Sequence, residues 1–485
     1  MISGKDNIFS YCVFKGNIVP KEGEHHVQVG DFSVYMSPKT LYELREDDDV
    51  SCLIIGLATC VSQDMGGLDW LWEHRYSIES FIEAEKFLGG KYVLFLRMKE
   101  QYYVIGDATC SVPVFYANDE SGAICSCQAY QMANEMHLTP DETLLKIRES
   151  GDSSQIMPYD YTIWKEIKRL LPNHYLNLNE KRAIRIVNHH CVQSVITPEI
   201  AAEKTLSSIK RLANFYSKKF PVACALTSGR DSRAVLAVLG CNKQMPIYTI
   251  NHKEFKDNTA DIVVPRLIAE HTHLNYQQIE DIELTDGDIA EANAILGENN
   301  YSKRTLMLAH TIKYHLGENA VINGDIIGQV GKCSLHRDIP LGFATPSYFL
   351  CKLHNYSKEA KEGLRLWIEE IAQSNEHVNR FDLFSIENRM GVWAANENEI
   401  YNMVGQYYLN IFNSRSIIYE WTRVDRKDRK VSAIHLAIIK MLCPELLEIP
   451  FESVGTFEKM AKYNGMSYLL ASYLKYYIGK IRSRI

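Results

Sequence analysis

Residues 222–239 read VACALTSGRDSRAVLAVL, and this stretch decides the fold of the carboxyl-terminal part of the chain. The run from Val222 to Leu226 is short, apolar and of strand type. A small polar turn follows through Thr227, Ser228, Gly229, Arg230, Asp231 and Ser232. Helix formers occupy Ala234 to Leu239, and Gly240 stands where helices commonly stop. A strand, a tight polar turn and a helix make the first half of a βαβ unit. That geometry aims free backbone N–H groups and the positive end of a helix at an anion. Hydroxyls at Thr227, Ser228 and Ser232 add donors suited to phosphate oxygens, and Asp231 is a carboxylate of the kind that holds Mg²⁺ beside phosphate. The Walker pattern G-x-x-x-x-G-K-[ST] is absent, so the turn is not that phosphate loop, and an ordinary strand–turn–helix fits the same residues.

Downstream, strand-like runs at Pro246 to Ile250, Asn275 to Ile279 and Ala320 to Gly324 alternate with helical segments. The helices are expected at Thr259 to His271, with Pro265 bending it or moving its start, and at Arg304 to Leu316. Another, Ile200 to Lys219, leads into the loop. Alternation of this kind implies a parallel sheet with its ligand at the carboxyl ends of the strands. Beyond residue 340 the chain reads as helical, with one long helix expected from Glu387 to Leu409 and another from Ser432 to Leu442. Upstream, β-rich runs at 92–96, 102–105 and 112–116 and helical spacing from Trp70 to Phe87 predict antiparallel sheets with helices against them.

At 485 residues the chain exceeds one ordinary core, and two or three domains are expected. A hydrophobic content of 46% with 23% charged residues is that of a globular protein. A net charge of −7 without a long basic run argues against nucleic acid as a partner. The opening MISGKDNIFS has no apolar core segment, and no stretch approaches the roughly 20 apolar residues of a membrane helix. The twelve cysteines are scattered, with Cys125 and Cys127 a close pair, and none has zinc-site spacing. A reduced, cytoplasmic setting is expected. His189, His190 and Cys191 are adjacent, so their side chains point apart and read as structural. The basic tail at 473–485 reads as a docking helix with a charged outer face.

The turn at 227–232 resembles the pyrophosphate-binding loop S-G-G-x-D-S of N-type ATP pyrophosphatases, in the T-G-G-x-D-S-R form of asparagine-synthetase-like proteins. Thr227, Ser228 and Gly229 fall on the first three positions, and Asp231 and Ser232 match outright. Ser228 places a side chain where glycine would let phosphate approach. The resemblance extends upstream. LGGKYVLFL at 88–96, GDATCSVPVFY at 106–116 and TIWKEIKRLLPNHYL at 162–176 are similar, in order, to three segments of the family's glutaminase-type domain. Downstream, Asp325 in NGDIIGQVGK (323–332) falls on the second metal-binding aspartate, with Ile326 in place of the family's glutamate. FNSRSIIYE at 412–420 resembles P-F-L-D-x-x-L-x-E with Arg415 at the aspartate.

The resemblance implies a two-domain protein of α+β and α/β type. Residues 1–195 would form an Ntn-hydrolase-like antiparallel sandwich, and residues 196–485 a parallel-sheet ATP-pyrophosphatase domain with helical additions. It implies ATP and Mg²⁺, with pyrophosphate cradled by Thr227, Ser228, Gly229 and Ser232. The metal would sit on Asp231 and Asp325, and adenine near Leu226 and Ile250. A catalytic lysine at Lys430 or, second, Lys427 would stabilise the transition state. The implied reaction activates a small-molecule or peptide carboxylate as an acyl-adenylate and couples it to an amine. Glutamine-dependent relatives use an amino-terminal cysteine, and position 2 is Ile2. Glutaminase activity is therefore not expected unless processing exposes Cys12, which keeps the family's C-x-x-x-G spacing. An intramolecular amide former of the β-lactam synthetase or lasso cyclase kind and a non-catalytic nucleotide-binding scaffold remain open, as does a homodimer.

Overall fold

The computed structural model describes residues 7–451 except 17–22, 118–122, 150–155, 188–193, 257–258, 299, 334–338, 354, 356 and 375, and near the carboxyl end Leu470, Leu474, Tyr477 and Ile478. The triplet at 189–191 and most of the basic tail lie outside the described residues.

Period-two alternation in the first part of the chain builds two antiparallel six-stranded sheets. One runs in the order Ile167–Arg169, Phe115–Ala117, Ala123–Ser126, Tyr11–Lys15, Phe32–Met36, His25–Val29. The other runs Arg182–Arg185, His174–Asn177, Gln101–Gly106, Leu88–Met98, Val50–Cys60, Tyr42–Glu46. Their facing sides interdigitate, with Val13, Val27 and Val34 from one and Leu53, Ile55, Val93 and Phe95 from the other in a single core. The residues between these point outward and meet helices. Ile54, Leu94 and Leu96 pack on Trp70, Leu71 and Phe81, while Phe14, Tyr35 and Phe115 pack on Ala129 and Met132. The result is helix, sheet, sheet, helix.

The single helix expected from Trp70 to Phe87 is two, Gly67–Glu73 and Ile78–Glu85. Ser77 breaks the run because its side chain accepts the Ser80 N–H and so caps a new start. The strand expected at 112–116 is only Phe115–Ala117, since Pro113 has no N–H to give a ladder.

The second part forms a five-stranded, wholly parallel sheet. Its order is Tyr276–Glu280, Ile247–Asn251, Val222–Ala225, Ala320–Asn323, Tyr408–Asn410. Ala223 and Cys224 are fully buried, as a central strand covered on both faces requires. From Val222–Ala225 the chain first winds to one side and then returns to the other, so the winding reverses between that strand and Ala320–Asn323. The long helix expected from Glu387 to Leu409 ends at Met403, after a widened segment at Phe384–Ala394. Gly405, at φ 73°, turns the chain, and Leu409 lies in the edge strand instead.

The two parts share a continuous core, in which Phe9 and Val61 pack with Leu212, Tyr216 and Phe412. Buried charges cross the same boundary. Arg415 donates to Glu85 at 2.7 Å and to the Gly106 carbonyl at 2.8 Å, and both members of the pair are almost wholly buried. Arg185 pairs with Glu387 at 2.7 Å, and Glu387 also accepts the Trp367 indole N–H at 2.7 Å. Arg415 is thus a rivet between the halves. Among the described residues no helix is long and apolar enough to cross a membrane.

Arg415→Met strands the Glu85 carboxylate in the core and is expected to destabilise the protein by about 3–5 kcal/mol in denaturant titration. Combining it with Glu85→Gln, which keeps an acceptor for the Tyr92 hydroxyl, is expected to recover most of that loss.

Candidate functional site

The loop after Val222–Ala225 and the turn after Ala320–Asn323 leave the carboxyl ends of neighbouring strands where the winding reverses. In open parallel sheets a crevice opens there. The helix begins at Arg230, earlier than the helix formers imply, so Asp231 lies in its first turn. Gly229 precedes it, and its N–H donates to Thr227 Oγ1 at 3.3 Å. The Thr227 and Ser232 hydroxyls lie 3.1 Å apart, and the Thr227 N–H donates to Ser232 Oγ at 3.1 Å. Thr227 is exposed, so this polar rim faces solvent.

Two residues assigned to nucleotide contact are otherwise engaged. Ser228 is fully buried, and its N–H and hydroxyl both donate to Asp261 Oδ1, at 2.8 and 2.7 Å. The extra side chain turns away from the crevice and pins the loop to the helix Ala260–Thr272. Leu226 points into the core; its N–H donates to the Tyr248 carbonyl and its carbonyl accepts the Thr249 hydroxyl at 2.7 Å. Neither is a free ligand group. Ile250 is half-buried near the end of its strand.

The second turn closes tightly on the first. A Cβ on Gly328 would lie 2.8 Å from Asp231 Oδ2, and one on Gly324 would lie 3.2 Å from the Asp231 backbone. The two turns therefore approach closely, and a side chain at Gly328 would displace the Asp231 carboxylate. Asp231 Oδ1 lies 2.8 Å from Nε2 of His435, which is fully buried. The approach is that of an ion pair but is not aligned as a hydrogen bond, and neither ring nitrogen of His435 has an aligned partner.

Burial pushes the Asp231 pKa up, but His435, Lys332 and Arg230 outweigh it and hold the carboxyl below its usual range. Asp325 goes the other way. Burial and the neighbouring Asp231 charge push it up to about 6, against a hydrogen bond from the Tyr408 hydroxyl at 3.4 Å. Glu397 rises to about 7 through burial and the charge of Asp325, and accepts the Thr305 hydroxyl at 3.5 Å. Asp325 is thus repelled by Asp231 on one side and in turn raises Glu397 on the other. Their oxygens are hard donors, and Asp231 Oδ1 has no aligned hydrogen bond, so the set fits Mg²⁺. Lys91, buried and held near pKa 7 by desolvation, lines a small cavity with Asp325 between the two halves.

The basic loop sits differently from expectation. Lys427 is 68% exposed and pairs with Asp425 at 3.8 Å. Lys430 is half-buried at the end of the short helix Arg426–Arg429. It is Arg429 that is buried, binding Asp382 at 2.7 Å and the Val330 carbonyl at 3.0 Å, and so tying this loop to the second turn. The lysine whose charge acts on Asp231 is Lys332, from the second turn itself. His435 and Glu397 carry no sequence signal, because each reaches the crevice from a distant helix.

Cys12 lies within the strand Tyr11–Lys15, between two partner strands, and packs on the outer face with Phe14 and Tyr35. Burial pushes its thiol pKa up, so as folded it is a core residue. A larger cavity of about 460 Å³ takes in Lys86, Lys204, Arg211 and Arg423 but no residue of the loop. Its Lys204 and Arg423 are already paired with Glu420.

No family model and no curated protein sequence matches the chain. Among solved structures it is similar to glutamine phosphoribosylpyrophosphate amidotransferase from B. subtilis complexed with ADP and GMP. The identity is 9% and the TM-score 0.23, over 60% of this chain and 67% of that one.

Because folded Asp325 keeps its proton up to about pH 6 while the unfolded chain releases it near 3.8, the native state binds more protons between these values. Stability of the metal-free protein is therefore expected to fall as pH rises through that window. Asp325→Asn is expected to flatten the fall and to raise stability at pH 8 by on the order of 2 kcal/mol, read by urea unfolding.

Proposed function

We propose that the protein is an ATP-dependent, AMP- and pyrophosphate-forming amide ligase of asparagine-synthetase-like type, without glutaminase activity of its own. In this reading residues 1–195 are the glutaminase-like domain and 196–485 the synthetase domain. The observation that carries it is the pair Asp231 and Asp325, brought together from the ends of adjacent strands at the reversal point and charged unequally. Substrates are a small-molecule or peptide carboxylate and an amine.

Each residue then has a task. Thr227, Gly229 and Ser232 bind pyrophosphate oxygens, and Arg230 and Lys332 add positive charge beside them. Asp231 and Asp325 would hold Mg²⁺, which supplies neutralisation of phosphate charge. His435 fixes the orientation of Asp231 from the protein interior. Glu397, poised near pKa 7, accepts the proton that the amine loses on attacking the activated carboxyl. Two residues support a second reading as a non-catalytic nucleotide binder. The Ser228 N–H, a natural phosphate donor, is spent on Asp261, and Lys427 turns to solvent.

Calorimetry with ATP and Mg²⁺ tests the nucleotide site. Wild type is expected to bind, and Asp231→Asn or Asp325→Asn to weaken binding by about tenfold or more, about 1.4 kcal/mol per decade. Absence of binding at millimolar ATP overturns both readings. Pyrophosphate release across a panel of carboxylates and amines separates them, since the second predicts binding without turnover. Where turnover is found, Glu397→Gln is expected to lower kcat with ATP affinity kept, and to remove the limb of the pH profile near 7.

A further inference from the structure

Two helices converge on the crevice with their starts and diverge from it with their ends. Arg230–Val238 carries Asp231 in its first turn and Cys241 just past its last. Ala433–Leu442 carries His435 near its start and Cys443 at its carboxyl cap. The helices pack along their length through Ala234, Val235 and Val238 against Ile434, Ala437 and Ile438. They are joined at one end by the 2.8 Å approach of His435 to Asp231. At the other end the two cysteine sulfurs meet a carboxylate.

Among the described residues this is the one cluster in which Cys, His or acidic ligand atoms come together in threes. Cys241 Sγ, Cys443 Sγ and a Glu445 oxygen all lie within 4.8 Å of one another. Cys443 donates its S–H to Glu445 Oε1 at 2.9 Å. Its two sulfurs set it apart from the crevice, where Asp231 and Asp325 offer carboxylate oxygens. We propose that Cys241, Cys443 and Glu445 form a binding site for a zinc-class divalent cation, which clamps the far ends of the two helices that bring Asp231 and His435 together.

Three arguments support it. First, metal–sulfur and metal–oxygen lengths of about 2.3 and 2.0 Å give tetrahedral edges of about 3.5–3.8 Å. The present spread of the three donors meets that with side-chain adjustment alone. Second, two thiolates and a carboxylate select a borderline-soft ion over Mg²⁺ or Ca²⁺. Third, the site is reachable, because Glu445 is exposed and Cys241 is half-buried. Binding releases both thiol protons, leaving a dithiolate–carboxylate complex with one net negative charge. The fourth position is left for water or for His271. That histidine is paired with Glu448 at 3.0 Å, and its charge already acts on Glu445.

The proposal does not depend on the nucleotide reading, and it is tested on the full chain with Zn²⁺ and Co²⁺ alone. Purified, reduced protein is expected to take up a single zinc ion and to show a higher Tm with it. With Co²⁺ it is expected to show the intense near-ultraviolet band of thiolate-to-metal charge transfer. Cys241→Ser should lose the band and the zinc-dependent rise in Tm. Glu445→Gln, at an exposed position that leaves folding intact, should keep the band and weaken zinc binding by about tenfold or more. Circular dichroism of both variants establishes that they fold. No stoichiometric uptake, or a cobalt band unchanged in Cys241→Ser, overturns the proposal. So does a Cys241–Cys443 disulfide that forms under air and excludes zinc even after reduction and reoxidation in its presence.

Discussion

Repulsion between Asp231 and Asp325 is the constraint around which the carboxyl-terminal half is arranged. Adjacent parallel strands deliver the two carboxylates to one crevice, where burial strengthens their interaction. The conflict is settled unequally. Asp231 keeps its charge because buried His435 and the charges of Lys332 and Arg230 favour it, whereas Asp325 holds its proton up to about pH 6. Sterics impose the same meeting, since Gly324 and Gly328 leave no room for a side chain between the two turns.

The tension also accounts for what surrounds the crevice. Tyr408 reaches Asp325 from the edge strand, Glu397 from the helix before it, and Lys91 lines the same small cavity from the antiparallel half. Such placement needs the two halves held in one register. Arg415 with Glu85 and Arg185 with Glu387 do this through directional contacts that an apolar boundary alone would not specify. Buried pairs contribute little net stability but penalise any other alignment heavily, because misalignment leaves a charge unpaired.

Much of this was legible in the chain. The strands at 222, 247, 276 and 320 and the helices at 260–272 and 303–316 follow from local apolar runs and stop signals, whereas the helix Asp286–Leu296 is not among those expected. Asp231 is legible in its polar turn, whereas Asp325 reads as an ordinary turn residue unless the family resemblance is added. What is not legible shares a cause. The engagement of Ser228 with Asp261 and of the Leu226 carbonyl with Thr249 depends on partners that lie elsewhere in the chain. Glu387 to Leu409 was read as one helix because apolar spacing does not show where Gly405 adopts a left-handed turn. Lys427 stands out only through the resemblance, by its place in a basic loop, and Arg415 only as a departure from a pattern.

The sequence by itself determined the elements, the alternation that makes one sheet parallel and two antiparallel, and the polar turn with its aspartate. These are set by interactions among residues close in the chain, namely backbone pairing, capping and face periodicity. Only the tertiary structure decided which groups act on that aspartate. His435 and Lys332 come from separate elements, Glu397 is coupled to Asp325 from a third, and Cys241 and Cys443 meet from far apart in the chain. Charge and ligand geometry depend on distance in space and on exclusion of water, and neither exists until the chain has packed.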